Sequence, residues 1–326
     1  MEVSMKLREL VPVAATVIAA ASLTPYASTS AAPAAVLIAS GLEGASGSAI
    51  GPDGALYVVE GAAGRISRVD PETGVKTTFA SGLPPWLFGI GGAIDVAFIG
   101  HTAYALVTLV SPDVGGSDVV GVYRIDGPNS STVIADIGTF AIDNPPATPF
   151  DVPSGLQFAL ETFHGGFLVT DGHHNRVLGV TLDGTVSEII QFGNLVPTGL
   201  ARWGNQIFIA QAGPVPHVPA DGRIVAFSPG EPFAATVAAG APLLVDVEFG
   251  PARSLYALSQ GVFPVGSEPG TPALPDTGSL VKANGDGTFT VVLDGLNQPS
   301  SLEVVGHNAY VVTLSGEVWK IDLRSR

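Results

Sequence analysis

Two aspartates stand at matching places in two related stretches of the chain, Asp95-Val96-Ala97-Phe98 and Asp246-Val247-Glu248-Phe249. Each stretch leads into a similar run, Ala103-Tyr104-Ala105-Leu106 after the first and Leu255-Tyr256-Ala257-Leu258 after the second. Carboxylates brought face to face hold a hard cation such as Ca²⁺ or share a proton for acid–base work, according to their separation. A carboxylate at a strand start also accepts backbone amides of a neighbouring element, and the sequence leaves both roles open. A second set combines imidazole with carboxylate: Asp171, His173 and His174 in one loop, His217 and Asp221 in another. Those side-chain types suit zinc or copper. Yet Asp171-Gly172-His173-His174-Asn175-Arg176 also reads as a plain hairpin whose Asp and Asn hold the turn. His101, His164 and His307 fall in short turns and read as surface residues.

Other chemistry is excluded by what is missing. There is no cysteine, hence no disulfide, thiolate nucleophile or Cys-ligated zinc. The sequence holds no P-loop, dinucleotide glycine fingerprint, His-Glu-x-x-His or Gly-x-Ser-x-Gly. With 29 acidic against 14 basic residues the net charge is −15, so nucleic acid is not an expected partner.

The elements that must position these residues come from a repeat. A Ser/Thr-Gly-apolar opening, an alternating strand, a short turn, an aromatic-started strand, a hairpin and a third strand recur six times. The first unit shows them in Ser46-Gly47-Ser48-Ala49-Ile50, Leu56-Tyr57-Val58-Val59 and Arg65-Ile66-Ser67-Arg68-Val69. With Gly47, Asp95, Gly155, Gly199, Asp246 and Ser301 taken as equivalent, the steps are 48, 60, 44, 47 and 55 residues, the size of four-stranded propeller blades. The first five units end in a fourth strand, such as Thr77-Thr78-Phe79-Ala80, and the sixth stops after its third. Ala35-Val36-Leu37-Ile38-Ala39, at the other end, is expected to complete it. The fold class is therefore all-β, a six-bladed propeller whose N-terminal strand closes the last blade. In such a ring Asp95 and Asp246, three blades apart, face one another across the channel. Glu60, Thr170, Gln211, Ser259 and Thr313, at the ends of second strands, are expected to line its mouth.

Insertions collect on one face, at residues 83–92, 111–117, 138–153, 213–220 and 261–277, and the opposite turns are short. Long loops on a rigid scaffold are where binding concentrates. They carry Trp86, Phe88, Phe140, Phe150 and Phe263 among many prolines, flat rings that either take an apolar ligand or pin their own loops.

At the start, Lys6 and Arg8 precede an apolar run from Leu10 to Leu23, followed by small residues. This is the order of a secretory signal, and the run is shorter than the roughly 20 residues a spanning helix needs. Residues 1–34 are expected to be signal peptide and short linker, residues 35–326 the propeller, with no membrane span after cleavage.

The opening Ser46 to Val58 and the hairpin Gly64-Arg65-Ile66-Ser67-Arg68-Val69-Asp70 resemble NHL repeats. Together with Ala39-Ser40-Gly41-Leu42 they resemble the ScyD/ScyE family of propeller proteins. That resemblance implies an exported bacterial propeller, periplasmic or extracellular, found in cyanobacterial gene clusters for the indolic sunscreen scytonemin and without a settled activity. It transfers no catalytic residue. Two functions stay open. One is a propeller binding a small apolar or aromatic molecule, or an envelope protein, on the loop face. The other is a metal-dependent, lactonase-like hydrolase with its ion held in the channel by Asp95, Asp246 and Glu60.

Overall fold

A computed structural model describes residues 34–231 and 233–324. Nearly all of the expected leader, residues 1–33, lies outside the described residues. The remainder forms six four-stranded sheets, five of them antiparallel meanders of consecutive strands and the sixth a composite. The composite joins Pro299–Val305, Asn308–Thr313 and Val318–Asp322 to the N-terminal strand Ala35–Ala39. Ala35 pairs with Ile321 and Leu37 with Trp319, and beyond the strand Leu42 N–H bonds Gly316 O at 3.1 Å.

The burial of each strand follows its distance from the axis. Second strands such as Leu56–Glu60 and Gly166–Asp171 are buried at every position, because sheets press on both of their faces. Their near-continuous apolar sequence is what that place requires. Outermost strands such as Lys76–Ser81 and Val186–Gln191 are mostly open to solvent and carry Thr, Ser, Lys and Glu. One apolar cluster fills each of the six junctions between neighbouring sheets. Ala39, Leu42, Val58 and Val318 form the junction that joins the chain ends.

Blade three departs from the frame read in the sequence. Gly155 is not in the inner strand: it takes a left-handed φ of 77° in the turn before Gln157–Phe163. Ala159 holds the equivalent position, as the hydrogen bonds described below establish. The repeated Ser-Gly pair misled because Gly155 serves a turn, where positive φ favours glycine. The insertion at 138–153 also holds a seven-residue helix, Ile137–Asp143, started by Asp136, whose side chain accepts from Thr139 N–H at 2.8 Å.

The N-terminal strand contributes Ala39, and the turn after it Leu42, to a buried junction. A chain beginning at Gly44 is expected to melt roughly 5 °C below one beginning at Ala34, for a loss of about 3 kcal/mol in a domain of this size. Equal melting temperatures in a thermal scan would show that the last blade closes without that strand.

Candidate functional site

Around the axis the inner strands are tied to one another by side chains. Asp95 accepts its own strand's Val96 N–H at 2.8 Å on Oδ1 and, from the next blade, Leu160 N–H at 2.7 Å on Oδ2. Asp246 repeats this three blades on, with Val247 N–H at 2.9 Å and Leu302 N–H at 2.7 Å. The preceding blade makes room in each case. A Cβ on Gly47 would lie 2.2 Å from Asp95 Oδ1, and one on Gly199 would lie 2.2 Å from Asp246 Oδ1. Ser48 and Ser301 hydroxyls meet at 2.9 Å, Ser46 Oγ donates to Ile94 O, Thr170 Oγ1 to Thr198 O, and Thr198 Oγ1 to Leu244 O. Every one of the six junctions thus carries an inner polar link.

Leu160 and Leu302 receive the same bond and so hold the same place in their blades. One residue further on are Glu161 and Glu303, and two residues after Asp246 on the same strand is Glu248. Side chains alternate along a strand, so i and i+2 face the same way. Beneath the tier of Asp95, Asp246, Gly47, Gly199, Ala159 and Ser301 lies a second tier. It has Glu161, Glu248 and Glu303 in blades three, five and six, against alanines at 49, 97 and 201.

Both tiers face one cavity of about 790 Å³ on the axis. Its walls run from Trp86 and Phe88 at the loop face, past Ile94, Leu160 and Leu243, to Phe98 and Thr162 beyond the glutamates. No lysine or arginine is among the lining residues. The acids are enclosed by six sheets but open to the channel. Burial raises Asp95 well above the usual carboxylate range despite its two amides, and Asp246 to about 7. It also raises Glu161, which Arg202 Nε partly offsets at 3.1 Å. Glu248 and Glu303 are pushed far up by burial and then by repulsion, from Asp246 and Glu161 on Glu248 and from Glu248 and Asp246 on Glu303.

Asp95 and Asp246 therefore line one channel, as their shared frame implied, and each of their oxygens accepts one backbone amide. Among the described residues no group of three His, Asp or Glu side chains is placed to hold a metal ion. His173 Nε2 accepts from Asp151 and Val152 N–H at 2.7 and 3.0 Å, and burial lowers its pKa. His174 is buried, with Nε2 at 3.0 Å from Val152 O and Nδ1 at 3.0 Å from Arg176 Nη2. His217 Nδ1 donates to Gly213 O at 2.8 Å, burial lowers its pKa, and its ring stands on Phe263. Of the three histidines, His173 and His217 reach the cavity wall, each with one ring nitrogen committed to loop backbone.

Glu60 and Gln211 are not at the channel mouth. Glu60 lies in a separate small cleft, bonded by Arg65 Nε and Nη2 at 2.8 and 2.7 Å and by Glu43 N–H at 2.6 Å. Burial opposes its charge, yet Arg65 and Ser67 hold it below the usual range. Asp171, paired opposite Arg176 as Glu60 is opposite Arg65, repeats the arrangement. Gln211, opposite Arg223, is wholly buried with neither amide atom bonded. Thr170 Oγ1 donates to Thr198 O, Ser259 Oγ donates to Pro242 O, and Thr313 Oγ1 meets Ser315 Oγ at 2.8 Å, with none of the three on the cavity wall. The residues that follow Asp171, Gln211, Ser259 and Thr313, namely Gly172, Ala212, Gln260 and Leu314, line the cavity. Strand alternation explains an error of a single position.

Of the five loop aromatics, Trp86 and Phe88 line the cavity. Trp86 N–H bonds Gly61 O at 2.9 Å and its ring lies where a Cβ of Gly44 would come within 2.6 Å. The other three pin loops. Phe140 packs under the Arg176 guanidinium, Phe150 meets His174 edge-on, and Phe263 is buried on His217. Phe158, on the inner strand of blade three, is an aromatic wall that the sequence reading overlooked.

No model of a known protein family matches the sequence, and no curated protein matches it. Solved structures share the fold. A PQQ-bound aldose sugar dehydrogenase from Streptomyces coelicolor is 15% identical, with a TM-score of 0.62 over 90% of this chain and 99% of its own. A putative glucose dehydrogenase from Thermus thermophilus is 18% identical, TM-score 0.62, covering 89% and 99%. A gluconolactonase from Xanthomonas campestris is 11% identical, TM-score 0.61, covering 88% and 89%. At these identities the likeness is one of fold. PQQ is a tricarboxylate, and a cavity lined by acids with no lysine or arginine does not fit it.

Carboxyls whose pKa is raised on folding bind more protons in the folded than in the unfolded chain. Their contribution is complete below about pH 4 and is lost as pH rises through their folded values, about 7 for Asp246 and likewise raised for Asp95, Glu248 and Glu303. Stability is expected to fall between pH 5 and 8. Glu303→Gln should raise stability at pH 8 by about 1–3 kcal/mol and change it little at pH 5. Denaturant titrations at both pH values check this, and a variant equally destabilised at both would contradict it.

Proposed function

We propose that the protein is an exported propeller that binds a small aromatic or extended apolar molecule through its loop face. The observation that carries this reading is the mouth of the axial cavity. Trp86 is held by a backbone hydrogen bond and by its seat on Gly44, and it lines the cavity wall together with the exposed Phe88. A cavity of about 790 Å³ lies within the usual range for small-molecule sites. Rigid aromatic walls lose little freedom when a flat ligand stacks on them. Export is supported by the basic, apolar and small-residue order of the N-terminal sequence. Among the described residues no helix is long and apolar enough to cross a membrane. The resemblance to propellers of indolic pigment clusters puts indoles first among compounds to try.

A metal-dependent hydrolase is the weaker reading. The shared fold with a gluconolactonase is its only support, and the carboxylates that would carry an ion are bonded to amides.

Calorimetric titration of indolic and phenolic compounds tests the proposal. Trp86→Ala is expected to weaken binding by about 2 kcal/mol, roughly thirtyfold. Phe150→Ala should leave it unchanged, because that ring packs on His174 away from the cavity wall. No saturable binding, or binding indifferent to Trp86→Ala, would overturn it.

A further inference from the structure

The two ends of the axial cavity differ in chemistry. The loop-face end carries the rings of Trp86, Phe88 and Phe158 with Ile90, among polar loop residues such as His173 and Asn194. The inner end is acidic, with Glu161, Glu248 and Glu303 below Asp95 and Asp246. Acid clusters alone select nothing, since they can be satisfied internally. Here the internal partners can be traced.

Each oxygen of Asp95 and Asp246 already accepts a backbone N–H. Glu161 keeps one oxygen beyond its bonds from Arg202 and Thr162. Glu248 accepts only Phe249 N–H, at 3.2 Å. Glu303 has no hydrogen bond and no ion pair among the described residues, and its half-buried side chain lines the cavity wall. Enclosed polar groups are almost always partnered, and a carboxyl without a partner on a cavity wall is an open acceptor. The channel brings no cation of its own to it, since no lysine or arginine lines the cavity.

Building on the small-molecule reading above, we infer that the ligand is an organic cation: an aromatic or apolar body with an ammonium or amidinium group that reaches down to Glu303 and its neighbours. The apolar body occupies the mouth, where ring faces also favour a nearby positive charge. The cationic nitrogen supplies donors to the unfilled oxygens of Glu303, and its charge relieves the repulsion among the surrounding carboxyls. Ligands with a carboxylate or phosphate at that end are rejected by the same field. A bare metal ion is a poorer match, because no three of these carboxyls converge.

Indole, tryptamine and indole-3-acetate, titrated calorimetrically into the mature protein, separate this inference from the reading beneath it. Tryptamine should bind at least about tenfold more tightly than indole, and indole-3-acetate more weakly than indole. Glu303→Gln should cut the tryptamine advantage to roughly threefold or less and leave indole affinity unchanged. Glu248→Gln serves as a second variant should the first not fold. Tryptamine binding should also release about one proton, read from titrations in two buffers of different ionisation heat, and indole none. Indole and tryptamine binding equally would overturn the cation and leave the small-molecule site standing. Binding by none of the three would overturn both. Displacement of tryptamine by millimolar Ca²⁺ would assign the tier to a metal and overturn the inference.

Discussion

Six sheets standing around an axis share no hydrogen-bond ladder with one another, so the ring depends on what joins the inner strands. Here the main joints are two carboxylates. Each of Asp95 and Asp246 fills the space that a glycine leaves in the blade before it and takes an amide of the blade after it. One side chain thereby spans three blades, and two of them span all six. The remaining junctions need only hydroxyls. This arrangement sets the width of the channel and fixes which residues of the inner strands look into it.

That joint has an electrostatic consequence. Two acids are committed to the axis for structural reasons, and three glutamates lie one step below them in the same enclosed space. The overall charge of −15 gives no relief. Burial disfavours the charged forms, and each carboxyl makes ionisation of the next harder. Such a tier is tolerable because apolar clusters at every junction hold the ring closed independently of it. A cost concentrated at one open-ended cavity is also a cost that a ligand can remove, which ties the stability of the channel to its chemistry.

The loop face divides its aromatics between two tasks. Phe140, Phe150 and Phe263 anchor the insertions to Arg176, His174 and His217, and the last two histidines anchor loop backbone in turn. Trp86 and Phe88 are left facing the cavity. The histidines that look like metal ligands are therefore part of the structure that holds the mouth open. In particular, His173 Nε2 accepts two amides from the 138–153 insertion and thereby shapes the rim.

Periodicity along the chain determined the number of blades, their four strands, and the completion of the last blade by Ala35–Ala39, because strand alternation and turn residues are local properties. The shared frame of Asp95 and Asp246 was equally legible, since equal places in a ring repeat around one axis. Glu248 and Glu303 were within reach of the same logic, two residues past Asp246 and Ser301. Glu161 was hidden, because Gly155 imitates the repeat from within a turn and shifted blade three by four residues. Tertiary structure alone decided the rest. Whether a carboxylate meets an amide, an arginine or open channel depends on residues far away in sequence: Leu160 for Asp95, Leu302 for Asp246, and none for Glu303. The one-residue offset that turns Gln211 between the blades and Ala212 toward the axis depends on where each strand is bulged and how the sheets stack, and no local pattern records it.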